Sequence, residues 1–485
     1  MNMNKKLSFG SCCLFGVLPF FASCNINQKT EKVNILWLFG EDISPWMPLY
    51  GDSTVQTPNI DFLAENGVLF TNCYSTCPVS SPCRSAIITG AMQTTIGMHN
   101  HRTGRTDKVI YKLPEHVQVL PQIFKKEGYH TYNAGKDDFN WQYDWNDYWT
   151  GPHTEIKLYG KEGKGSWNDR KEGQPFFGVI ELYGGKNHGK VDTPVDLDRI
   201  KVPPYYPDVP FMRKQLATHY NQIQLTDKEI GNILAQMKKD GVYENTIIIF
   251  MSDNGYQTLR DKQFLYDGGI HMPFIVSCPG NPDLLKKYGI KKGSIRTDMM
   301  SLLDVTATTL SMAGIDIPEY MESKDVFTPD YHRDFIVAAR DRCDFTIDRI
   351  RAIRTHDFKY IRNFMTDRPL MQSQYRDNTK PYKEFMRIWK EGAKFEDDWL
   401  SDKRPAEELY DLKNDHYEVH NLANDPNYSE QLSKMRDILD NWIKETDDKG
   451  QYPESEEELA VIYERWGERC INPEYDKVKK MYNKK

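Results

Sequence analysis

The run Val33-Asn34-Ile35-Leu36-Trp37-Leu38-Phe39 is almost continuously apolar, as a strand buried on both faces must be. Comparable runs recur at 129–134, 176–182, 246–251 and 274–278, with helical signals between them. Thr57-Pro58 has the form of an N-cap and first helical position, with Gly67 closing that helix. Residues 211–239 form a long amphipathic stretch ending at Gly241. Strands alternating with helices predict an α/β fold with a largely parallel sheet sandwiched by helices.

The texture changes near residue 330. Arg351-Ala352-Ile353-Arg354 and Phe358-Lys359-Tyr360-Ile361 alternate apolar residues with charge, predicting antiparallel strands exposed on one face. A polar, aromatic-rich insertion spans 365–405, followed by the strand-like Glu408–Leu412 and a helix over 428–446. The chain is therefore divided into a larger domain over 33–330 and a smaller C-terminal α+β domain over 331–485. A length of 485 residues accommodates both.

Residues 1–23 read as an export signal: Lys5 and Lys6 precede a short apolar stretch, Leu14 to Phe21, and Ala22-Ser23-Cys24 follow. The stretch is too short for a permanent membrane span. The pattern resembles a bacterial lipoprotein signal, which would put a lipid on Cys24, a polar tether over 24–32 and the protein in the periplasm, with the cell surface as the alternative. The six cysteines beyond it (Cys73, Cys77, Cys83, Cys278, Cys343, Cys470) follow no zinc spacing. Lys and Arg total 63 against 70 Asp and Glu, and a net charge of -7 argues against a nucleic-acid partner.

Ligands of open α/β sheets gather at the carboxyl ends of the strands. Two such ends are acidic: Glu41-Asp42 after the first run, and Asp253-Asn254-Gly255 after 246–251. Hard oxygen donors brought together from two strand ends suit Ca²⁺ or Mg²⁺ better than zinc. Each pair by itself reads equally as a turn.

The segment Ser80-Ser81-Pro82-Cys83-Arg84, continuing to Thr89-Gly90, follows a predicted strand over 68–74. Pro82 can start a helix, which would set residue 80 beside exposed backbone N–H groups. The segment resembles the signature of formylglycine-dependent sulfatases: Cys or Ser, any residue, Pro, any residue, Arg, then Thr-Gly. The resemblance extends in order through Thr57–Asp61, Gly135-Lys136, Ser252–Gly255, Lys262, Gly268-Gly269, Glu408–Leu412 and Asn421–Ala423. It implies an alkaline-phosphatase-like fold and conversion of Ser80 to formylglycine by a serine-type maturase. It further implies one Ca²⁺ held by Glu41, Asp42, Ser80, Asp253 and Asn254, with Lys136 and Lys262 on the sulfate oxygens, while Arg84, one turn on, would hold residue 80 and its charge.

Two departures stand out. Glu41 replaces the usual Asp, and Asp138 stands where many relatives have His. The remaining family histidine maps to His188, or to a position now held by Lys186; His188 is favoured because a general acid should titrate near neutrality. Met98-His99-Asn100-His101 and the run Arg349–Asn363 resemble the branch containing heparan N-sulfatase. That branch implies a sulfated glycan substrate, N-sulfoglucosamine first and an O-sulfated host or algal sugar as the alternative. Arg102, Arg342 and Arg349 are possible glycan contacts but read first as structural arginines. A metal-dependent phosphatase on the same fold would call for histidine ligands, and none of the 12 histidines adjoins Asp42 or Asp253.

Overall fold

In the computed structural model, residues 32–101, 108–152, 166–182, 189–393 and 399–482 are described. The signal segment with Cys24, and Arg102, Lys186 and His188, lie outside them.

The first apolar run forms β1 (Asn34–Gly40), buried throughout. Its side chains alternate between two cores. Ile35, Trp37 and Phe39 point into one, and Leu36 and Leu38 into the other. Burying each large apolar side chain contributes about 1.5–3 kcal/mol, so a strand of this kind is stable only with helices on both faces. Helices 80–89, 120–126 and 305–312 cover the first face; helices 58–65 and 210–239 cover the second.

The other strands of this sheet are β2 (Gly67–Tyr74), β3 (His130–Ala134), β4 (Phe176–Leu182), β5 (Thr246–Ser252), β6 (His271–Ser277), β7 (Ser294–Arg296) and β8 (Met300–Ser301). Their order is β3-β4-β1-β5-β6-β2-β7, with β8 also pairing β2. Only β6 runs against its neighbours β5 and β2. The sheet is therefore largely parallel, as expected.

Gly67 corrects one expectation. The helix ends at Glu65, and Gly67 is already the first residue of β2. A Cβ there would stand 2.0 Å from the carbonyl oxygen of Val276, so glycine is required by close strand contact.

A second sheet, β12-β11-β10-β9, is antiparallel: β9 (Ile336–Arg340), β10 (Ile350–Arg354), β11 (Phe358–Asn363) and β12 (Glu407–Asp411). The expectation that one of its faces meets water fails. Leu432, Met435, Leu439 and Trp442 of helix 429–446 cover one face. On the other, Ile336, Ala338, Ile350 and Ala352 join a core with Tyr74, Leu265 and Ile270. The interleaved charges are satisfied internally. Arg351 is fully buried and bonds Asp448 at 2.8 and 2.9 Å and Asp341 at 3.0 Å. Lys359, equally buried, pairs with Asp267 and Glu418. The insertion over 365–405 contains a helix, 380–390, capped by the Thr379 side chain. Both sheets lie within one compact unit, residues 33–485.

Candidate active site

Parallel register sets the site. Gly40 pairs with Leu182 on one side and Ser252 on the other, so β1, β4 and β5 end side by side. From these ends emerge Glu41-Asp42, Glu181 and Asp253-Asn254. The end of β3 delivers Gly135-Lys136, and β2 leads into helix 80–89. Because β6 runs in reverse, the segment before it, which carries Lys262, reaches the same edge.

Helix 80–89 begins at Ser80 itself, two residues earlier than Pro82 suggested. Pro82 sits inside the first turn, where a missing N–H costs nothing, and Cys83 makes the first i→i−4 bond to Val79 at 3.2 Å. Ser80 Oγ donates to Asn254 Oδ1 at 3.2 Å and accepts from Lys262 Nζ at 3.4 Å. Lys262 also pairs with Asp42 Oδ1, which accepts from Asn254 Nδ2 at 2.8 Å. The backbone N–H groups of Asp42 and Asn254 both donate to Asp253 Oδ1, at 3.1 and 3.0 Å.

Arg84 does not reach for Ser80. It donates to Asp253 Oδ2 at 3.2 Å, to Glu181 Oε1 at 3.5 Å and to the Lys136 carbonyl at 3.0 Å, and it stacks 4.3 Å over Phe39. Burial would lower its pKa, but Asp253, Glu181, Glu41 and Asp138 together hold it well above the usual guanidinium value. Lys136 Nζ lies between Glu41 Oε1 at 2.6 Å and Asp138 Oδ2 at 2.7 Å. Its side chain is 27% exposed against 4% for Lys262, so Lys136 is the cation nearer to solvent.

The backbone here is strained to achieve this. Asp42 and Asp138 have φ of 57° and Gln263 has φ of 77°. Each such non-glycine residue costs about 1–3 kcal/mol, which the surrounding contacts must hold in place. Gly135 has φ of 140°, and a Cβ on it would stand 2.5 Å from Glu181 Cβ. This packing lets the Lys136 N–H donate to Glu181 Oε2 at 2.7 Å.

Donor atoms of Glu41, Asp42 and Asp253 lie within 4.8 Å of one another, all buried. Five carboxylates (Glu41, Asp42, Asp138, Glu181, Asp253) face three cations (Arg84, Lys136, Lys262) through the ion pairs above. The excess of two negative charges, on hard oxygen donors, fits a divalent ion of the Ca²⁺ or Mg²⁺ type. The structure thus brings together every described site residue that the sequence picked out: Glu41, Asp42, Ser80, Arg84, Lys136, Lys262, Asp253 and Asn254.

Two residues went unnoticed. Glu181 was legible as the one charge inside an otherwise apolar strand, since a buried acid near a carboxyl-terminal strand end needs a partner. His219 lies inside a long helix and gave no such signal. Its Nε2 accepts from the Ser44 N–H at 3.2 Å and its ring stacks on Tyr256 at 4.1 Å. Burial pulls its pKa down to about 3, so it stays neutral and fixes the loop that follows Asp42.

The family model for sulfatases matches residues 33–315. An ulvan-active sulfatase of Formosa agariphila is 32% identical, over 88% of this chain and 77% of its own. The human N-sulphoglucosamine sulphohydrolase is 26% identical, over 90% of this chain and 94% of its own. Among solved structures, a 2-O GAG sulfatase superposes with a TM-score of 0.60 at 21% identity, over 87% of this chain and 94% of that one.

Proposed function

The chain belongs to the sulfatase family of sulfate-ester hydrolases, and from that premise we propose that it strips sulfate from a glycan with formylglycine made from Ser80. The observation that carries the reading is the placement of Ser80. Its oxygen opens a helix and meets Asn254 and Lys262 beside three buried carboxylates.

The modified residue supplies a hydrated aldehyde as nucleophile, and a divalent cation supplies Lewis-acid charge beside it. Glu41, Asp42, Asp253 and Asn254 are the residues that would hold Ca²⁺ together with residue 80. The amino end of helix 80–89 and Lys262 favour negative charge on the residue-80 oxygen. Lys136, the more exposed cation, is assigned to the sulfate oxygens. Arg84 acts through others: it keeps Asp253, Glu181 and the Lys136 backbone in place. His188 is assigned the proton for the departing oxygen or nitrogen.

The first substrate reading is N-sulfoglucosamine of heparan-type chains, supported by a nearly full-length match to the human sulphohydrolase. The second is an O-sulfated algal sugar, favoured by the higher identity to the ulvan-active enzyme. A panel of N-sulfated glucosamine, 6-O-sulfated glucosamine and ulvan oligosaccharides separates them by sulfate release, with Ser80→Ala as the blank. Active protein should show a loss of two hydrogens at residue 80 by mass spectrometry. Full activity with an unmodified Ser80 peptide would end the proposal.

Export and lipidation at Cys24, which would place the enzyme in the periplasm, belong to the same reading. Labelled palmitate should enter the protein and fail to enter Cys24→Ser. Expression without a serine-type maturase should yield inactive protein.

A further inference from the structure

The loop after the signature helix carries His101, and this residue meets a second loop from the far side of the chain. His101 Nδ1 lies 3.3 Å from Asp344 Oδ1 and 3.8 Å from Cys343 Sγ. All three side chains are buried, and their donor atoms lie within 4.8 Å of one another. The cluster shares no residue with the carboxylate group of the active site.

The two distances from His101 are close to a tetrahedron's edges. With metal bonds of about 2.0–2.1 Å to nitrogen and oxygen and about 2.3 Å to sulfur, a tetrahedral zinc site has edges of about 3.3 Å (N···O) and about 3.6 Å (N···S). The observed values need a shift of only a few tenths of an ångström.

The scaffold around the donors is rigid. Cys343 and Thr346 exchange two backbone hydrogen bonds of 3.0 Å, which places Cys343 and Asp344 on a tight turn, with Asp344 at φ of 51°. The His101 N–H donates to the Arg342 carbonyl at 3.0 Å, and the Arg342 N–H to Asn100 Oδ1 at 3.1 Å. The Arg342 guanidinium donates to the carbonyls of His101 and Asp344 and is held by Glu454 at 2.6 and 2.9 Å. Arg342 is thus an anchor beneath the cluster, and only 2% exposed.

We propose that His101, Cys343 and Asp344 form a second metal site, for one Zn²⁺ ion. One nitrogen, one thiolate sulfur and one carboxylate oxygen are a borderline-soft set, unlike the all-oxygen donors of the active site. On binding, the Cys343 thiol gives its proton to solvent, and His101 coordinates through the Nδ1 lone pair with its proton on Nε2. Among the described residues three protein donors meet the ion, and one further ligand completes the tetrahedron. The ion ties the loop after helix 80–89 to the loop after β9.

The test uses the full chain, stripped by a chelator and reloaded with Zn²⁺ in the presence of Ca²⁺. Metal analysis should find about one zinc per chain, weakened about tenfold or more in His101→Ala and Cys343→Ser. Loading wild type with Co²⁺ should give a thiolate-to-cobalt charge-transfer absorption in the near ultraviolet, absent from Cys343→Ser. Zinc no higher than a buffer blank, or retained equally by Cys343→Ser, overturns the proposal. So does cobalt-loaded wild type without the thiolate band, a result that does not depend on how the variants fold. Neither outcome bears on sulfate release, so the failure of this site is distinguishable from failure of the sulfatase reading.

Discussion

Lys262 Nζ stands 3.4 Å from Ser80 Oγ although 182 positions separate them, and the same ammonium pairs with Asp42. One buried cation thus serves both the nucleophile position and the carboxylate group that would take the metal. Lys262→Ala should lower kcat by about a hundredfold to a thousandfold, the cost of removing one preorganised electrostatic partner. Steady-state kinetics with KM little changed is the expected pattern. A variant with near-wild-type kcat would remove Lys262 from the chemistry.

Gly135 tests whether backbone placement of Lys136 matters. An added Cβ meets Glu181 at 2.5 Å, at a φ that side chains avoid. Gly135→Ala should shift Lys136 and reduce kcat by about a hundredfold, as a displacement of about an ångström does elsewhere. Lys136→Ala in the Gly135→Ala background should then add little.

Calcium dependence is the third expectation. After treatment with a calcium chelator, restoring calcium should raise Tm, corresponding to about 2.7 kcal/mol at a free concentration of about one hundred times Kd. Asp253→Asn and Asp42→Asn should blunt that rise. Equal shifts in all three proteins would place the ion elsewhere.

Asp348 offers a pH test remote from catalysis. Burial pushes its carboxyl up, but Arg340 and Arg404 outweigh burial and hold it below the usual carboxylate range. A depressed folded-state pKa means stabilisation that is present above the unfolded value of about 3.9 and lost as pH falls below it. Asp348→Asn should cost about 3–5 kcal/mol at neutral pH, because two buried arginines lose their counter-charge. Urea titrations should show that difference shrinking below about pH 4. A constant difference across that range would assign the effect to packing.

Much of this was legible in the chain because strand burial and parallel pairing leave a period and a polarity. The run 176–182 was recovered to the residue, and Glu41-Asp42 and Asp253-Asn254 stood out as oxygen-donor pairs placed directly after apolar strands. The alternating charges of β10 and β11 misled, since the same pattern describes a wet face and a face of buried ion pairs. Only the positions of Asp448 and Asp267, supplied by distant segments, distinguish the two.

The sequence by itself determined the sheet and the edge where the chemistry collects, because hydrophobic period and strand-end polarity are local properties; the candidate nucleophile came from the resemblance of Ser80–Gly90 to the sulfatase signature. Tertiary structure alone decided which charges neutralise one another. Arg84 supports Asp253 and Glu181 rather than Ser80, His219 is held neutral beneath the Asp42 loop, and His101 meets Cys343 across 242 positions. Charge pairing depends on distances of a few ångströms between segments remote in the chain, and no local pattern encodes them.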